Sequence, residues 1–157
     1  MKLKSSVSSN TQEIIDSIRR IVRALRTSSR ATEKDLGLSS AQLSVLQKLG
    51  DRKRVSLNEL AVRTLTHQSS VFVVVGRLVE QGFAIIETSA IDTRRVEISI
   101  MSRGLTLIRR APEPIQERLI AAIESLPPTS RERLSAGLRA VVKSAGISEG
   151  PAPLFFF

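Results

Sequence analysis

Residues 56–103 contain a change in apolar spacing that constrains the fold more than any other feature of the chain. From Val71 to Val79, apolar residues recur at i, i+3, i+4, i+7 and i+8, which is typical of a helix with one buried face. Gly82 follows, and glycine is the residue that most often ends a helix. Two β-prone runs come next, at residues 83–88 and 95–100. This order predicts a helix followed by a two-stranded hairpin.

A second, shorter helix is predicted just before the first. Ser56 is a good N-cap residue, and Glu59 three positions later gives the capping-box pattern. The helix is expected to run over residues 57–64, and a tight turn separates it from the next helix, which either Thr66 or His67 caps. Two helices joined by a tight turn and followed by a β-ribbon are suited to placing one helix in a DNA groove and the ribbon beside it.

The face of the second helix opposite its valines is small and polar near the N-terminus, which suits close approach to base edges. Serine bonds bases or phosphates, glutamine pairs with adenine, and valine contacts thymine methyl groups. The single histidine has no partners at metal or catalytic spacing, so we interpret it as a capping or DNA-contacting residue. The alternative for each residue is ordinary helix surface. The predicted DNA-contacting residues here are His67, Gln68, Ser69, Ser70, Val73 and, as a phosphate contact, Arg77.

The hairpin is predicted to have one buried face and a basic tip. Alternating apolar residues over 96–100 indicate the buried face, and residues 89–93 form the tip. Asp92 lies two residues before Arg94 and is expected to pair with its guanidinium and orient it. Arg94 and Arg95 suit a narrow minor groove, where negative potential is concentrated. The alternative is a plain hairpin with solvated arginines.

Net charge favours a polyanionic partner. The chain has 24 Lys and Arg against 15 Asp and Glu, a formal net charge of +9.

Cysteine is absent, which excludes disulfides and cysteine-based zinc sites. No apolar run has the length of a membrane span and no signal peptide is recognisable, so a soluble, cytoplasmic protein is expected. No nucleophile–base set, paired carboxylates or phosphate-binding glycine loop is visible, so neither an enzyme nor a cofactor is predicted.

The remaining chain is predicted to be helical and to join two copies of the protein. Residues 11–36 and 102–146 are expected to be dimerisation helices, with Pro112 and Pro114 kinking or breaking the latter and Ser102 capping its start. Residues 111–157 carry five basic and five acidic groups, which fits burial between subunits rather than DNA contact. The predicted dimer interface comprises Ile14, Ile18, Ile21, Leu119, Ile123, Leu134, Leu138 and Val141.

The expected fold class is mainly α with a small β-hairpin wing (α+β), in a single domain spanning 1–157. Within it, residues 39–101 form the winged helix–turn–helix, which also includes a helix capped by Ser39 or Ser40 and a short strand at Val55. Residues 147–157 form a tail. Because exposed aromatic side chains are costly in water, its terminal Phe155–Phe157 is predicted to dock on the dimerisation helices.

The sequences ELAVRT (59–64), RLVEQGF (77–83) and DTRR (92–95), followed by ISIMSRG (98–104), resemble the MarR family of winged helix–turn–helix regulators. The resemblance implies a homodimer that binds double-stranded DNA at a pseudo-palindromic operator. It also implies that the regulator usually represses, and that a small-molecule effector between wing module and dimer helices often releases it. Family recognition helices often carry arginine where this chain has Val73, so affinity is expected to depend more on the wing and Arg77.

The alternative function is a winged-helix protein–protein interaction module that does not bind DNA. An acidic or apolar wing would favour that interpretation, whereas the wing here is basic.

Overall fold

The computed structural model describes residues 8–51, 53–147, 150 and 152, and within them the chain forms seven α-helices and three short strands. In chain order these are α1 (Ser9–Leu36), α2 (Ser40–Gly50), β1 (Val55–Ser56), α3 (Leu57–Arg63), α4 (Gln68–Glu80), β2 (Ala84–Thr88), β3 (Val96–Ile100), α5 (Ser102–Ile108), α6 (Ile115–Glu124) and α7 (Pro128–Ser144). The predicted fold class is confirmed. Among the described residues, no helix has both the length and the apolar character needed to cross a bilayer. The Phe155–Phe157 prediction lies outside the described residues.

The helix starts follow the capping signals of the sequence. Of the two candidate caps for α2, Ser39 takes the position, and it forms a full capping box with Gln42. The Ser56 hydroxyl accepts the Glu59 N–H at 3.1 Å at the start of α3. At the end of α1, Gly37 adopts the left-handed conformation, with φ +68°. These contacts satisfy backbone groups at helix ends that have no partner within the helix.

The three strands form one antiparallel sheet in the order β1–β3–β2. Val55 is paired with Ile98, which confirms the predicted short strand before α3. In the hairpin itself, Thr88 is paired with Val96 at the end nearest the tip. Val96 was predicted to be buried and is exposed, because it lies at this end, whereas Ile98 lies over the core.

The core lies between the short helices and the sheet. Eight of the eleven residues of α2 are buried, and this helix packs against α4, α3 and α5. Its apolar partners are Leu60 of α3, the inner face of α4 and Ile98 of β3. We call residues 40–108 the winged module.

Helix α5 begins one residue earlier than a Ser102 cap predicts. Ser102 was expected to be its cap, but Met101 is the N-cap because its N–H donates to the Phe83 carbonyl at 2.8 Å, which keeps it extended. Next to it, a Cβ on Gly104 would lie 2.6 Å from the Phe83 carbonyl oxygen, so only glycine allows this approach. The prolines break the helix rather than kink it, since Pro112 and Pro114 lie in the gap between α5 and α6.

The helices α1, α6 and α7, here the terminal helices, are much less buried. In α1 only Leu25 and Thr32 are buried, and α7 has no buried residue along its 17 positions. One partly buried polar cluster connects α6 to the winged module. Glu117 of α6 accepts the Lys48 ammonium at 2.9 Å and the Ser44 hydroxyl at 3.1 Å. This cluster ties α2 of the winged module to α6.

Candidate nucleic-acid interface

Helix α4 is the element on which the predicted DNA contacts are concentrated. Of the two candidate caps, His67 takes the N-cap position without a side-chain hydrogen bond, and its carbonyl accepts the Ser70 and Val71 N–H groups at 3.1 and 3.2 Å. Its imidazole is therefore exposed at the N-terminal end of the helix and is not engaged in capping.

The turn before α4 has a strained residue that the sequence analysis missed. Leu65 adopts φ +54°, in the left-handed region that side chains other than glycine rarely occupy. The Leu65 N–H donates to the Val62 carbonyl at 3.2 Å, and the Thr66 N–H donates to the Ala61 carbonyl at 3.0 Å. This is the Schellman pattern at the end of α3, with leucine where glycine is usual.

The inner face of α4 is buried as predicted, through Val71, Val74, Val75 and Leu78. The opposite face is therefore held outward by the core of the winged module. Ser69, Val73 and Arg77 are exposed on that face, whereas Ser70 is half-buried beside it. Gln68 is also exposed, but its side-chain amide donates to Oδ1 of the Asn58 side chain at 2.8 Å, so reading a base would require it to leave that partner.

The outer surface of α4 is more apolar than predicted. Phe72 is 59% exposed and adjoins Val73, which is 55% exposed. Phe72 was not among the predicted site residues, although its position one residue after buried Val71 already places it outside the valine face. Arg77 is the only cation on α4, so most of this surface is uncharged.

A short connection joins α4 to the hairpin. Gly82 adopts φ +74°, as its predicted role in ending the helix requires. The Phe83 N–H then donates to the Leu78 carbonyl at 2.9 Å, and the Arg103 guanidinium lies over the Phe83 ring at 5.3 Å from its centroid. Helix and hairpin are thus anchored to the same module, with only three residues between them.

The hairpin tip differs from the prediction in one contact. Asp92 was expected to pair with the Arg94 guanidinium, but its carboxylate accepts the backbone N–H of Arg94 at 3.0 Å and pairs with Arg95 Nε at 3.4 Å. The turn explains the change, because the Arg95 N–H donates to the Asp92 carbonyl and brings Arg95 over the carboxylate. Within residues 8–51 and 53–147, the Arg94 guanidinium makes no ion pair.

Positive charge on the hairpin is confined to the tip. Glu87 and Glu97 face each other across the two strands nearer the core, and Arg54 pairs with Glu97 at 3.3 Å. At the end of α3, Arg63 bonds Asp51 at 2.7 Å. Arg54, just before β1, is therefore paired with the sheet. The tip arginines are the exposed cations of the hairpin.

The residues predicted to form the dimer interface lie on the terminal helices with little cover from their own chain. The members on α1 and α7 are exposed and those on α6 are partly buried: Ile14, Ile18 and Ile21; Leu134, Leu138 and Val141; Leu119 and Ile123. Ile21 and Leu119 also line an open groove of about 340 Å³ between α1 and α6, with Arg20 and Arg118 at its sides.

The winged module is similar in sequence to known regulators. A sequence profile of the MarR family matches residues 36–95, from the end of α1 to the hairpin tip. An uncharacterised HTH-type transcriptional regulator of Mycobacterium leprae is 29% identical over 117 residues, which is 74% of this chain and 79% of the relative.

Two solved structures share the fold over nearly the whole chain. A MarR family transcriptional regulator from Streptomyces coelicolor in complex with DNA has a TM-score of 0.61 and 21% identity, over 95% of this chain and 96% of its own. BpsR of Bordetella bronchiseptica, whose DNA binding is regulated by 6-hydroxynicotinic acid, has a TM-score of 0.56 and 20% identity, over 90% and 97%. At these identities the structural likeness shows the fold, and the profile match shows what kind of module the fold contains. Residues 36–95, which include the helix–turn–helix and most of the wing, therefore match the MarR family, and the whole chain shares its fold with solved regulators of that family.

Proposed function

We propose that this protein is a sequence-specific, DNA-binding transcriptional regulator that acts as a homodimer on a pseudo-palindromic operator, most simply as a repressor. One observation carries the proposal. An exposed, mostly uncharged α4 face is followed directly by a hairpin whose tip holds Arg94 free of any ion pair within residues 8–51 and 53–147. The match to regulators, one of them in complex with DNA, supports the same function.

In this proposal α4 lies in the major groove and reads bases mainly by shape and apolar contact. Ser69 and Ser70 lie in the first turn of the helix, where recognition helices usually meet base edges. Val73 and Phe72 present methyl and ring surface suited to the methyl group of thymine. Arg77 lies further along the helix and contacts a phosphate.

The hairpin tip lies in the flanking minor groove. Arg94 enters the groove, where the potential is most negative in A·T-rich DNA. Arg95, turned toward Asp92, contributes less because its charge is partly neutralised by the carboxylate. Neutralising phosphates releases condensed counterions, so binding weakens as salt is raised.

The terminal helices bring two modules together. Their exposed aliphatic residues, among them Ile18 of α1 and Leu138 of α7, form a surface that a second copy would cover. Two α4 helices related by two-fold symmetry then meet half-sites about one DNA turn apart, roughly 34–36 Å.

A small-molecule effector is proposed to bind the groove between α1 and α6. The groove combines apolar walls with Arg20 and Arg118, a set suited to a small organic acid, and BpsR provides a relative with such a regulator. It lies between two terminal helices rather than against the winged module, so a bound acid would act by changing the angle of α6. Screening small carboxylic acids for release of bound DNA, with Arg118→Ala as the groove variant, tests this step.

Selection of bound sequences from random double-stranded DNA tests the main proposal. The expected product is a palindrome whose half-sites are about ten base pairs apart. Increased transcription of genes beside such sites when the protein is absent would support repression. Failure to enrich any sequence at low salt would reject DNA binding and favour a protein–protein module.

The wing assignment is tested with three arginine variants on the selected DNA. Arg94→Ala is expected to weaken binding about ten-fold and to lower the slope of log affinity against log salt by about one. Arg95→Ala should have a smaller effect, because Asp92 already offsets its charge. Arg139→Ala, which removes the same charge from the exposed surface of α7, is the matched control and should bind normally. If Arg94→Ala binds DNA with the same affinity as the wild type, the proposal that the wing lies in the minor groove is wrong.

A further inference from the structure

The apex of the hairpin carries an apolar side chain that neither the core nor the proposed contacts use. Ile91 is 97% exposed and lies between Ala90 and Asp92, in the turn that joins β2 to β3. An isoleucine so exposed at the end of a ribbon gains nothing from the fold. We propose that Ile91 is an apolar wedge that enters the DNA minor groove and partly unstacks one base step. The inference rests on the proposed function, because it requires the hairpin tip to lie in that groove.

The tip is ordered in a way that fixes Ile91 outward. Ser89 is buried beneath it, its hydroxyl accepts the Ile91 N–H at 3.3 Å, and its own N–H donates to the Arg95 carbonyl at 2.8 Å. On the other side of the apex, the Arg95 N–H donates to the Asp92 carbonyl at 2.9 Å. Because these bonds already restrain the turn, little conformational freedom remains to be lost when Ile91 inserts.

The charges around Ile91 indicate DNA as its partner rather than a protein or a second copy of this chain. The one carboxylate of the turn, Asp92, is occupied by the Arg94 N–H and the Arg95 guanidinium. Arg94 remains available to a phosphate. An apolar residue at the apex of a narrow ribbon, with Arg94 and Arg95 three and four residues further on, is complementary to the minor groove, where wedge residues such as Ile, Leu and Phe partly unstack bases and bend the duplex.

Unstacking is easiest at pyrimidine–purine steps, above all TA and CA/TG. Ile91 therefore adds a preference for such a step at the wing position of each half-site, where Arg94 alone favours only a narrow groove. Ile91 would recognise such a step by the ease with which it unstacks, without a hydrogen bond to a base.

The test uses the full-length protein and the DNA selected by the wild type, with 2-aminopurine replacing the adenine of the flexible step. Wild-type binding is expected to increase the fluorescence of this base analogue as it unstacks. Ile91→Ala should remove that increase and weaken binding about three- to ten-fold. Its salt dependence should match that of the wild type, because no charge is removed. Ile91→Leu keeps the wedge and should restore both signals.

Val62→Ala is the matched control, since Val62 is likewise exposed on the winged module but lies on α3. It should leave fluorescence and affinity unchanged. If Ile91→Ala binds with wild-type affinity and gives the same fluorescence increase, the wedge is rejected while the proposed function stands. If the wild type binds no DNA at all, the proposed function fails first. A change in oligomeric state in Ile91→Ala would also reject the wedge and assign the residue to an interface between copies.

Discussion

The winged module and the terminal helices differ in where their apolar side chains find partners. In the module, α2 buries eight of eleven residues, and Leu43, Leu46 and Leu49 are fully enclosed by neighbours from the same chain. In the terminal helices, α7 buries none of its 17 residues, and Leu138 is 48% exposed. Both regions contain regular helices with apolar faces. They differ in whether one copy of the chain provides the surface that covers each stripe.

This difference separates two sources of stability. A residue enclosed within one protomer stabilises it at every protein concentration. A residue covered only by a partner stabilises by mass action, so its contribution grows with concentration. The proposed division of labour, a DNA-binding module held by terminal helices in a dimer, predicts both behaviours in one chain. Variants chosen from the two regions can therefore contradict the comparison or refine it.

The largest effect is expected from matched leucine truncations. Leu46→Ala should lower the free energy of unfolding by about 2–5 kcal/mol, because it leaves a cavity in a closed core. Leu138→Ala should shift the dimer equilibrium instead, so that its thermal midpoint falls clearly at low concentration and little at high concentration. Thermal unfolding over a hundred-fold concentration range, with sedimentation analysis of the dimer, measures both.

The concentration dependence of the thermal midpoint distinguishes the Leu46→Ala and Leu138→Ala variants. A Leu138→Ala midpoint that drops by the same amount at every concentration would mean that α7 is covered by its own chain, and dimerisation through the terminal helices would be wrong. A concentration-dependent midpoint for Leu46→Ala alone would reverse the assignment of the two regions.

An intermediate effect is expected where the two regions meet. Glu117 and Lys48 are only 20% and 25% exposed, so Glu117→Gln leaves a half-buried ammonium without its carboxylate. We expect a loss of about 1–2 kcal/mol, and a double-mutant cycle with Lys48→Met should give a coupling energy of about 1 kcal/mol. Urea unfolding measures the cycle.

The matched control for this joint is the exposed ion pair between α6 and α7. Glu124→Gln removes a carboxylate that is 65% exposed and should change stability by less than about 0.5 kcal/mol. Zero coupling between Lys48 and Glu117 would show that this ion pair does not stabilise the joint, which would leave the Ser44 hydrogen bond and apolar packing to hold α6 against the winged module.

The same contrast explains how much the sequence could predict. The module was read correctly in outline because its signals are local: valines at helical spacing in α4, capping serines at residues 39 and 56, and Gly82 at a helix end. The exact starts of α5 and the strands shifted by a residue, since pairing of Met101 with Phe83 decides the first of them. Such pairing depends on tertiary structure.

The candidate site was harder to predict than the fold. The sequence indicates that Asp92 can pair with a nearby arginine, but the choice of Arg95 over Arg94 depends on the turn conformation. The bond from Gln68 to Asn58 joins two helices and leaves no local signal. The exposure of Phe72 and Ile91 was within reach of a helical projection and of the hairpin boundaries. Ile91 already lay in the predicted tip, but no contact was assigned to either residue.

The smallest effect is expected at Leu65, where the module is strained within its own chain. A left-handed conformation costs an L-residue about 1–2 kcal/mol, whereas glycine loses about 0.5–1 kcal/mol of additional backbone entropy. Leu65 is 71% exposed, so little packing is lost. Leu65→Gly should therefore raise the free energy of unfolding by about 0.5–1 kcal/mol in urea titrations. Val62→Gly, a change to glycine inside helical backbone, should lower it by about 1 kcal/mol.

Two measurements on Leu65→Gly locate the reason for the strain. A stabilised variant with unchanged DNA affinity means that the leucine is tolerated because the closed core of the module outweighs one strained turn. A stabilised variant that binds DNA less well means that the side chain, exposed just before α4, contacts the DNA and that the strain serves binding. Destabilisation would contradict the strain itself, because it would require the leucine to make contacts that outweigh a left-handed backbone. Because this turn joins α3 to α4, the DNA affinity of Leu65→Gly also shows whether the recognition surface begins at His67 or at Leu65, two residues earlier.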